Sequence, residues 1–359
     1  MQFENNIHRM SASNFADEVF PDDALQAKIK DENTQIISTL SANQKASEII
    51  KILFENRRLL AHQQESEGNF SEEAEPHFTG IVETIKRFEP LTLILPGFPA
   101  KSPNRKKTLG PLPDLAEKHA LDNLFNLCQK IERVYSPGAK ITICSDGRVF
   151  SDLVRIADSD VSSYGRQLKS FANTYYPHHF DFFNLDDVYP DIRDFEVMRE
   201  ELLIHFGESI ETLRKRCKTE KHAEAMYKGI TRFIFEDYSG LEEFGDLSRN
   251  SIQNKARIIA YRVIQRSNAW TRLLEHHFPH AVRLSIHPQF RVSKKIGVFL
   301  VDTEDSWQTP WHAVAVKENG NIRLMKRSDA EKRALLAFEN GLPSHFEVIS
   351  SPTTTDSAG

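Results

Sequence analysis

From residue 31 to about 60, apolar positions recur at three- and four-residue spacing, with Ile36, Ile37, Leu40, Ile49, Ile50, Ile52 and Leu53 as the candidate stripe. That period predicts a helix with one face turned to a core. Residues 1–30 lack the period and read as a loosely held arm, and HQQESEGNFSEEAEPHF (62–78) reads as a polar, acidic loop. The pattern then changes. Leu91, Leu93, Ile94 and Leu95 form an almost unbroken apolar run, as expected of a strand covered on both faces. Pro96, Pro99 and Pro103 remove amide donors and end it. Pro113 and Asp114 mark the next helix start, and Leu121, Leu124, Phe125, Cys128 and Ile131 supply its apolar stripe. That helix ends near Tyr135, and Ser136, Pro137 and Gly138 make the turn. A second apolar run at 141–144 leads into Ser-Asp-Gly-Arg (145–148), and another helix is expected over about 150–156. Two strands joined through a helix of roughly 20 residues make a parallel pair with a right-handed crossover.

The stretch 158–250 reads as helical and rich in Phe and Tyr, and 254–278 reads as one long amphipathic helix. Strand-like runs follow at 281–286, 296–301 and 312–316, and Glu-Asn-Gly-Asn (318–321) signals a hairpin into 322–325. The end of the chain, 350–359, has the composition of a disordered tail. The fold class is α/β: a Rossmann-like mixed sheet with flanking helices and a helical N-terminal extension. The expected divisions are 1–88 for the arm and extension, 89–349 for the catalytic domain and 350–359 for the tail.

Composition narrows the function classes. Of 359 residues 40% are hydrophobic and 27% charged, the balance of a soluble globular protein. A net charge of −5 argues against nucleic acid or an anionic membrane as partner. Cys128, Cys144 and Cys217 show no CxxC spacing, which fits a reducing, cytoplasmic compartment. No apolar window reaches membrane-span length, and the N-terminus has no signal-peptide core.

Ligands of open parallel sheets bind outside the carboxyl ends of the strands. Two loops of that kind are visible, KSPNRKK (101–107) and SDGR (145–148), each opening towards a helix N-terminus that favours an anion. Lys101, Arg105, Lys106, Lys107 and Arg148 are expected on one rim, with Lys101, Arg105, Lys106 and Arg148 as phosphate ligands. Neither GxGxxG nor GxxxxGK[ST] occurs, so a phosphosugar or similar anion fits better than a nucleotide. His287 in SIHPQ and His312 in TPWHAVAV sit at element boundaries beside prolines, where an imidazole can be aimed into a crevice. Together with Asp146 they are the candidate catalytic groups. Arg262 and Arg266, four apart on the long helix, are candidates for an amino-acid carboxylate, against the plainer reading of a solvated helix face. In HHFPH (276–280) the proline breaks the spacing a metal would need, so no metal is expected.

Taken together, FPAKSPNRKKTLGPLPDLAE, ICSDGRVFSDLV, LSIHPQ and TPWHAVAV closely resemble the isonitrile (isocyanide) synthase family, which includes PvcA-type proteins and the dityrosine-biosynthesis proteins of fungi. The resemblance runs from about residue 91 to about 327. It implies an enzyme that joins the α-amine of an aromatic L-amino acid, tyrosine ahead of tryptophan, to ribulose 5-phosphate. The amine nitrogen and one sugar carbon become the isonitrile, and the rest of the sugar leaves in fragments with phosphate. It implies no metal or organic cofactor, and an iron- and 2-oxoglutarate-dependent oxygenase as the enzyme that commonly acts on the product. Two other readings of the residues stay open: a phosphosugar lyase or isomerase acting on a pentulose phosphate alone, and a non-enzymatic anion-binding module.

Overall fold

The computed structural model describes residues 40–55, 57–64, 67–305 and 308–348; the expected arm and tail, with Ile36 and Ile37, lie outside them. Helix α1 (Ala42–Glu55) buries Ile49, Ile50 and Leu53 of the expected stripe together with Ala46, while Ile52 is half-buried. Helix α2 (Phe70–Arg87) overturns the loop expected through residue 78. Asn69 caps it by accepting the Ser71 amide at 3.1 Å, and Glu72 and Glu73 in the first turn suit the helix dipole. Pro76 inside the helix removes one amide donor, which is why the segment does not announce itself.

The central sheet is wholly parallel, in the order β3-β2-β1-β4-β5. Its strands are β1 (Leu91–Pro96), β2 (Ala139–Cys144), β3 (Phe180–Phe183), β4 (Val282–Ser285) and β5 (Lys295–Gly297). Leu91, Leu93, Ile94 and Leu95 are all buried, because helices cover both faces. Replacing Leu93 by Ala would cost about 2–5 kcal/mol. Between β1 and β2 runs α3 (Leu115–Val134), capped at Asp114, which accepts from the Ala116 amide while Glu117 accepts from the Asp114 amide at 3.0 Å. The helix expected at 150–156 is instead a single turn, Gly147–Phe150, followed by α4 (Asp158–Tyr175). β3 is a strand within the stretch expected to be helical throughout. Four further long helices, α5 (Phe195–Phe206), α6 (Ile210–Thr219), α7 (Lys221–Tyr238) and α8 (Arg249–His277), supply most of the remaining helical part.

A second sheet, β7-β6-β9-β8, holds β6 (Val314–Glu318), β7 (Asn321–Met325), β8 (Leu335–Glu339) and β9 (Leu342–Glu347). The mixed pairing expected of one sheet resides here, since β6 is parallel to β9 and antiparallel to β7. Asn319 and Gly320 turn the β6–β7 hairpin with φ of 50° and 81°. Asn340 and Gly341 do the same for β8–β9, a hairpin outside the expected set. Among the described residues no helix is long and apolar enough to cross a membrane.

Candidate active site

Strand order reverses at β1. To one side lie β2 and β3, to the other β4 and β5, and the crevice above their carboxyl ends is where such a sheet binds a ligand. Segment 97–102, which leaves β1, is the hub of this rim. A Cβ on Gly97 would stand 3.2 Å from Trp311 and 3.6 Å from Ile286, and one on Gly147 would stand 2.0 Å from the Pro99 oxygen. The Ser102 amide donates to the Trp311 carbonyl at 2.9 Å, and the Ser145 hydroxyl donates to the Phe98 carbonyl at 3.0 Å. Ile286, Trp311 and Gly147 are the sequence neighbours of His287, His312 and Asp146. One loop therefore touches the three segments that carry the candidate acid/base groups.

Each of those groups is tuned by its surroundings. Asp146 leaves its Oδ1 atom buried with no hydrogen-bond partner, and burial pushes its carboxyl up to about 7. His287 keeps an exposed face, yet the protein crowding its ring, with the Arg58 and Lys295 charges, pushes it down to about 4. Its strand end is fixed from outside the sheet: the Arg58 guanidinium donates to the Ile286 carbonyl, and the Arg58 amide to Gly297 at 2.8 Å. His312 is held well below the usual histidine range by burial and then by the Lys107 and Lys101 charges. Its Nδ1 lies 3.1 Å from the Thr309 hydroxyl, and its ring packs edge-on against Phe233 at 4.5 Å. At neutral pH both imidazoles are bases, and Asp146 can hold or release a proton.

The cations do not share one rim. The Lys101 side chain is 0% exposed, with Nζ 2.7 Å from Asp114 Oδ2, 2.8 Å from Glu117 Oε2 and 2.8 Å from the Pro310 carbonyl. Enclosed by two carboxylates and a carbonyl, with no exposed side-chain surface, Lys101 has no open side to offer a phosphate, contrary to its assignment as a ligand. Burial pulls its pKa down, but the two carboxylates outweigh that and the net shift is up. Arg148 is also enclosed. It donates to Asp158 at 2.9 Å, Ser162 at 2.6 Å and Asp186 at 3.3 Å, and lies 3.7 Å over the Phe195 ring. Arg105 and Lys106 are exposed and remain open to an anion.

Arg262 and Arg266 do not act as a pair. Arg266 is buried on Asp152 at 2.5 Å and the Val149 carbonyl at 3.2 Å, whereas Arg262 is exposed. Successive i, i+4 positions straddle the boundary of a packed helix face, and here the boundary falls between them. The HHFPH histidines are taken up in ring packing, His276 against Phe206 and His277 against Phe183. Among the described residues no three His, Cys, Asp or Glu side chains gather as metal ligands.

Several groups at the rim escaped the sequence reading. Lys107, counted in the basic cluster but given no role, turns inward to Asp237 at 2.6 Å and lies 5.0 Å from the Phe233 ring. Glu117 is fully buried, accepts the Tyr164 hydroxyl at 3.1 Å, and burial, against the pull of Lys101, raises its carboxyl to about 8. Asp114-x-x-Glu117 is a capping-box spacing, a signal that was available. Nothing comparable marks Asp237 or Tyr164.

The comparisons agree with one another. The family described as pyoverdine/dityrosine biosynthesis protein matches residues 81–337. L-tryptophan isonitrile synthase AmbI2 of Fischerella ambigua is 42% identical over 90% of this chain and 97% of its own length. The L-tyrosine isonitrile synthase of Pseudomonas aeruginosa is 44% identical over 75% of this chain and 82% of its own. The crystal structure of the PvcA protein of Pseudomonas aeruginosa superposes with a TM-score of 0.79 at 39% identity, covering 85% of this chain and 99% of that one. With the family match spanning most of the sheet and its rim, the chain belongs to the pyoverdine/dityrosine biosynthesis protein family.

Proposed function

We propose that this chain is an isonitrile synthase that joins the α-amine of an aromatic L-amino acid to ribulose 5-phosphate. The observation that carries the reading is the 97–102 loop, which packs against the neighbours of Asp146, His287 and His312 at the switch point of the sheet. Condensing an amine with a ketose and breaking down the sugar needs repeated proton transfers. Two neutral imidazoles and a carboxyl near pH 7 suit that work. The sugar phosphate is a non-reacting handle, and its charge falls to the exposed Arg105 and Lys106. Relatives named for tryptophan and for tyrosine stand at nearly equal identity, so the reading covers both amino acids. Three buried, unpaired thiols suit a reducing cytoplasm, and the product is one on which an iron- and 2-oxoglutarate-dependent oxygenase acts next.

The test is incubation of the full chain with ribulose 5-phosphate labelled at C2 and either L-tyrosine or L-tryptophan. The label should appear in the isonitrile carbon of a product carrying the amino-acid side chain. Breakdown of the sugar phosphate at the same rate without any amino acid would instead mark a phosphosugar lyase. Absence of isonitrile with both amino acids sinks the proposal.

A further inference from the structure

We propose that Lys101 is a positioning residue: it clamps the 309–312 turn and so fixes the orientation of His312, without touching substrate. The inference rests on reading His312 as a proton carrier. The geometry that carries it is a set of four bonds on one short turn. Lys101 Nζ donates to the Pro310 carbonyl at 2.8 Å, and the next residue, Ser102, donates its amide to the Trp311 carbonyl at 2.9 Å. Within the turn the His312 amide donates to the Thr309 carbonyl at 2.9 Å, and the Thr309 hydroxyl meets His312 Nδ1 at 3.1 Å. Successive carbonyls before His312 are thus tied to successive residues of the loop leaving β1, 209 positions away in sequence for the Lys101 bond.

The other two Lys101 contacts explain why an ammonium stands there. Asp114 and Glu117 already cap α3 through backbone amides, so the helix end is satisfied without Lys101. What the ammonium adds to the Ser102–Trp311 main-chain bond is a link from the rigid start of α3 to the same turn. Tyr164, donating to Glu117 at 3.1 Å, extends the same anchor into α4. A loop carbonyl held by a buried charge, whose remaining donors are held by a helix N-terminus, has little freedom to move. In the tautomer whose Nδ1–H donates to the Thr309 hydroxyl, Nε2 is the ring atom left to take a proton when His312 acts as a base.

The experiment compares Lys101→Met, Thr309→Val and His312→Gln in the full chain, with kcat and KM measured for both substrates and ring 15N shifts of labelled histidine recorded. Lys101→Met should lower kcat about 100-fold, the scale set by misplacing a catalytic group by an ångström. KM for ribulose 5-phosphate should stay within twofold, and the His312 ring resonances should shift or broaden. A raised KM for the sugar phosphate at full kcat would overturn the clamp and make Lys101 a substrate ligand. Should Lys101→Met fail to fold, Thr309→Val carries the test: kcat lowered about 10-fold at unchanged KM supports the clamp, and unchanged kcat overturns it. His312→Gln separates the two readings. If it turns over normally, the proton-carrier role is gone, and the clamp is then judged by whether the His312 resonances move in Lys101→Met.

Discussion

Gly147 lies against Pro99 so closely that a Cβ on it would stand 2.0 Å from the Pro99 carbonyl oxygen. The obstacle is backbone, which cannot swing aside as a side-chain end would. Gly147→Ala must therefore separate the turn carrying Asp146 from the loop leaving β1. The expected cost is about 1–3 kcal/mol of stability from overpacking and a fall in kcat of at least about 10-fold from misplacement. Thermal melts and steady-state kinetics measure the two. A variant with wild-type kcat would mean that the contact between these loops does not serve the reaction.

Asp146 should set a limb of the pH–rate profile. Its carboxyl stands near 7 because it is buried with an unpartnered oxygen. Log kcat/KM should therefore bend near pH 7, while the His287 limb falls near pH 4. Asp146→Asn should lower kcat by about 100-fold or more, the lower range of acid/base catalysis, and remove the upper bend. Persistence of that bend in the variant would assign it to another group.

The parts of this architecture that were legible share a cause: their local signals agree with their tertiary role. Leu91, Leu93, Ile94 and Leu95 are apolar because helices cover both faces of β1, and Asp114 starts α3 in sequence and in structure. β3 was hidden because Phe180–Phe183 is only four residues long and follows a helix rich in aromatics. α2 was hidden by Pro76 and an acidic first turn. Site residues failed for a different reason. Lys101, Glu117 and Asp237 belong to residue types that are ordinarily exposed, and only tertiary pairing makes their burial affordable. A charge cluster in sequence gives the sign of a loop and not the direction in which each side chain turns, so Lys101 and Lys107 point inward while Arg105 and Lys106 face solvent.

Glu117 gives a pH-dependent stability with a definite sign. Its carboxyl has a higher pKa folded, about 8, than the ordinary 4.5 of an unfolded chain. The folded state therefore binds the proton more tightly, and the stability this confers is full below pH 4.5 and lost as pH rises through 8. Glu117→Gln keeps an oxygen to accept from Lys101 but cannot ionise, and its amide nitrogen, standing where Glu117 Oε1 accepts the Tyr164 hydroxyl, makes that hydroxyl the acceptor. The melting temperature of the variant should gain on that of the wild type as pH is raised from 5 to 9. A gap that stays constant or narrows over that range would show Glu117 ionised in the fold at neutral pH.

The exposed pair Arg105 and Lys106 should carry the sugar phosphate. Their backbone is held, since Arg327 donates to the Arg105 carbonyl at 2.9 Å and the Thr108 carbonyl at 3.0 Å, while their side chains face solvent. Among the described residues the Arg105 side chain makes one long hydrogen bond, 3.5 Å to the Thr108 hydroxyl, which an anion could readily replace. A charge-assisted contact to phosphate is worth about 1.5–3 kcal/mol, and about 1.4 kcal/mol is tenfold in an equilibrium constant. Arg105→Ala/Lys106→Ala should therefore raise KM for ribulose 5-phosphate by at least about 10-fold, with KM for the amino acid little changed. Stability should move by less than about 0.5 kcal/mol, because neither side chain is packed. Added salt should weaken sugar-phosphate use more in the wild type than in the variant, since screening acts on the charges the variant lacks. If KM for the sugar phosphate is unmoved, the phosphate is held elsewhere on the rim. The next place is the cleft of about 250 Å³ at the carboxyl ends of β2 and β3, where Arg166 and Lys169 are exposed beside Ser145 and Asn184.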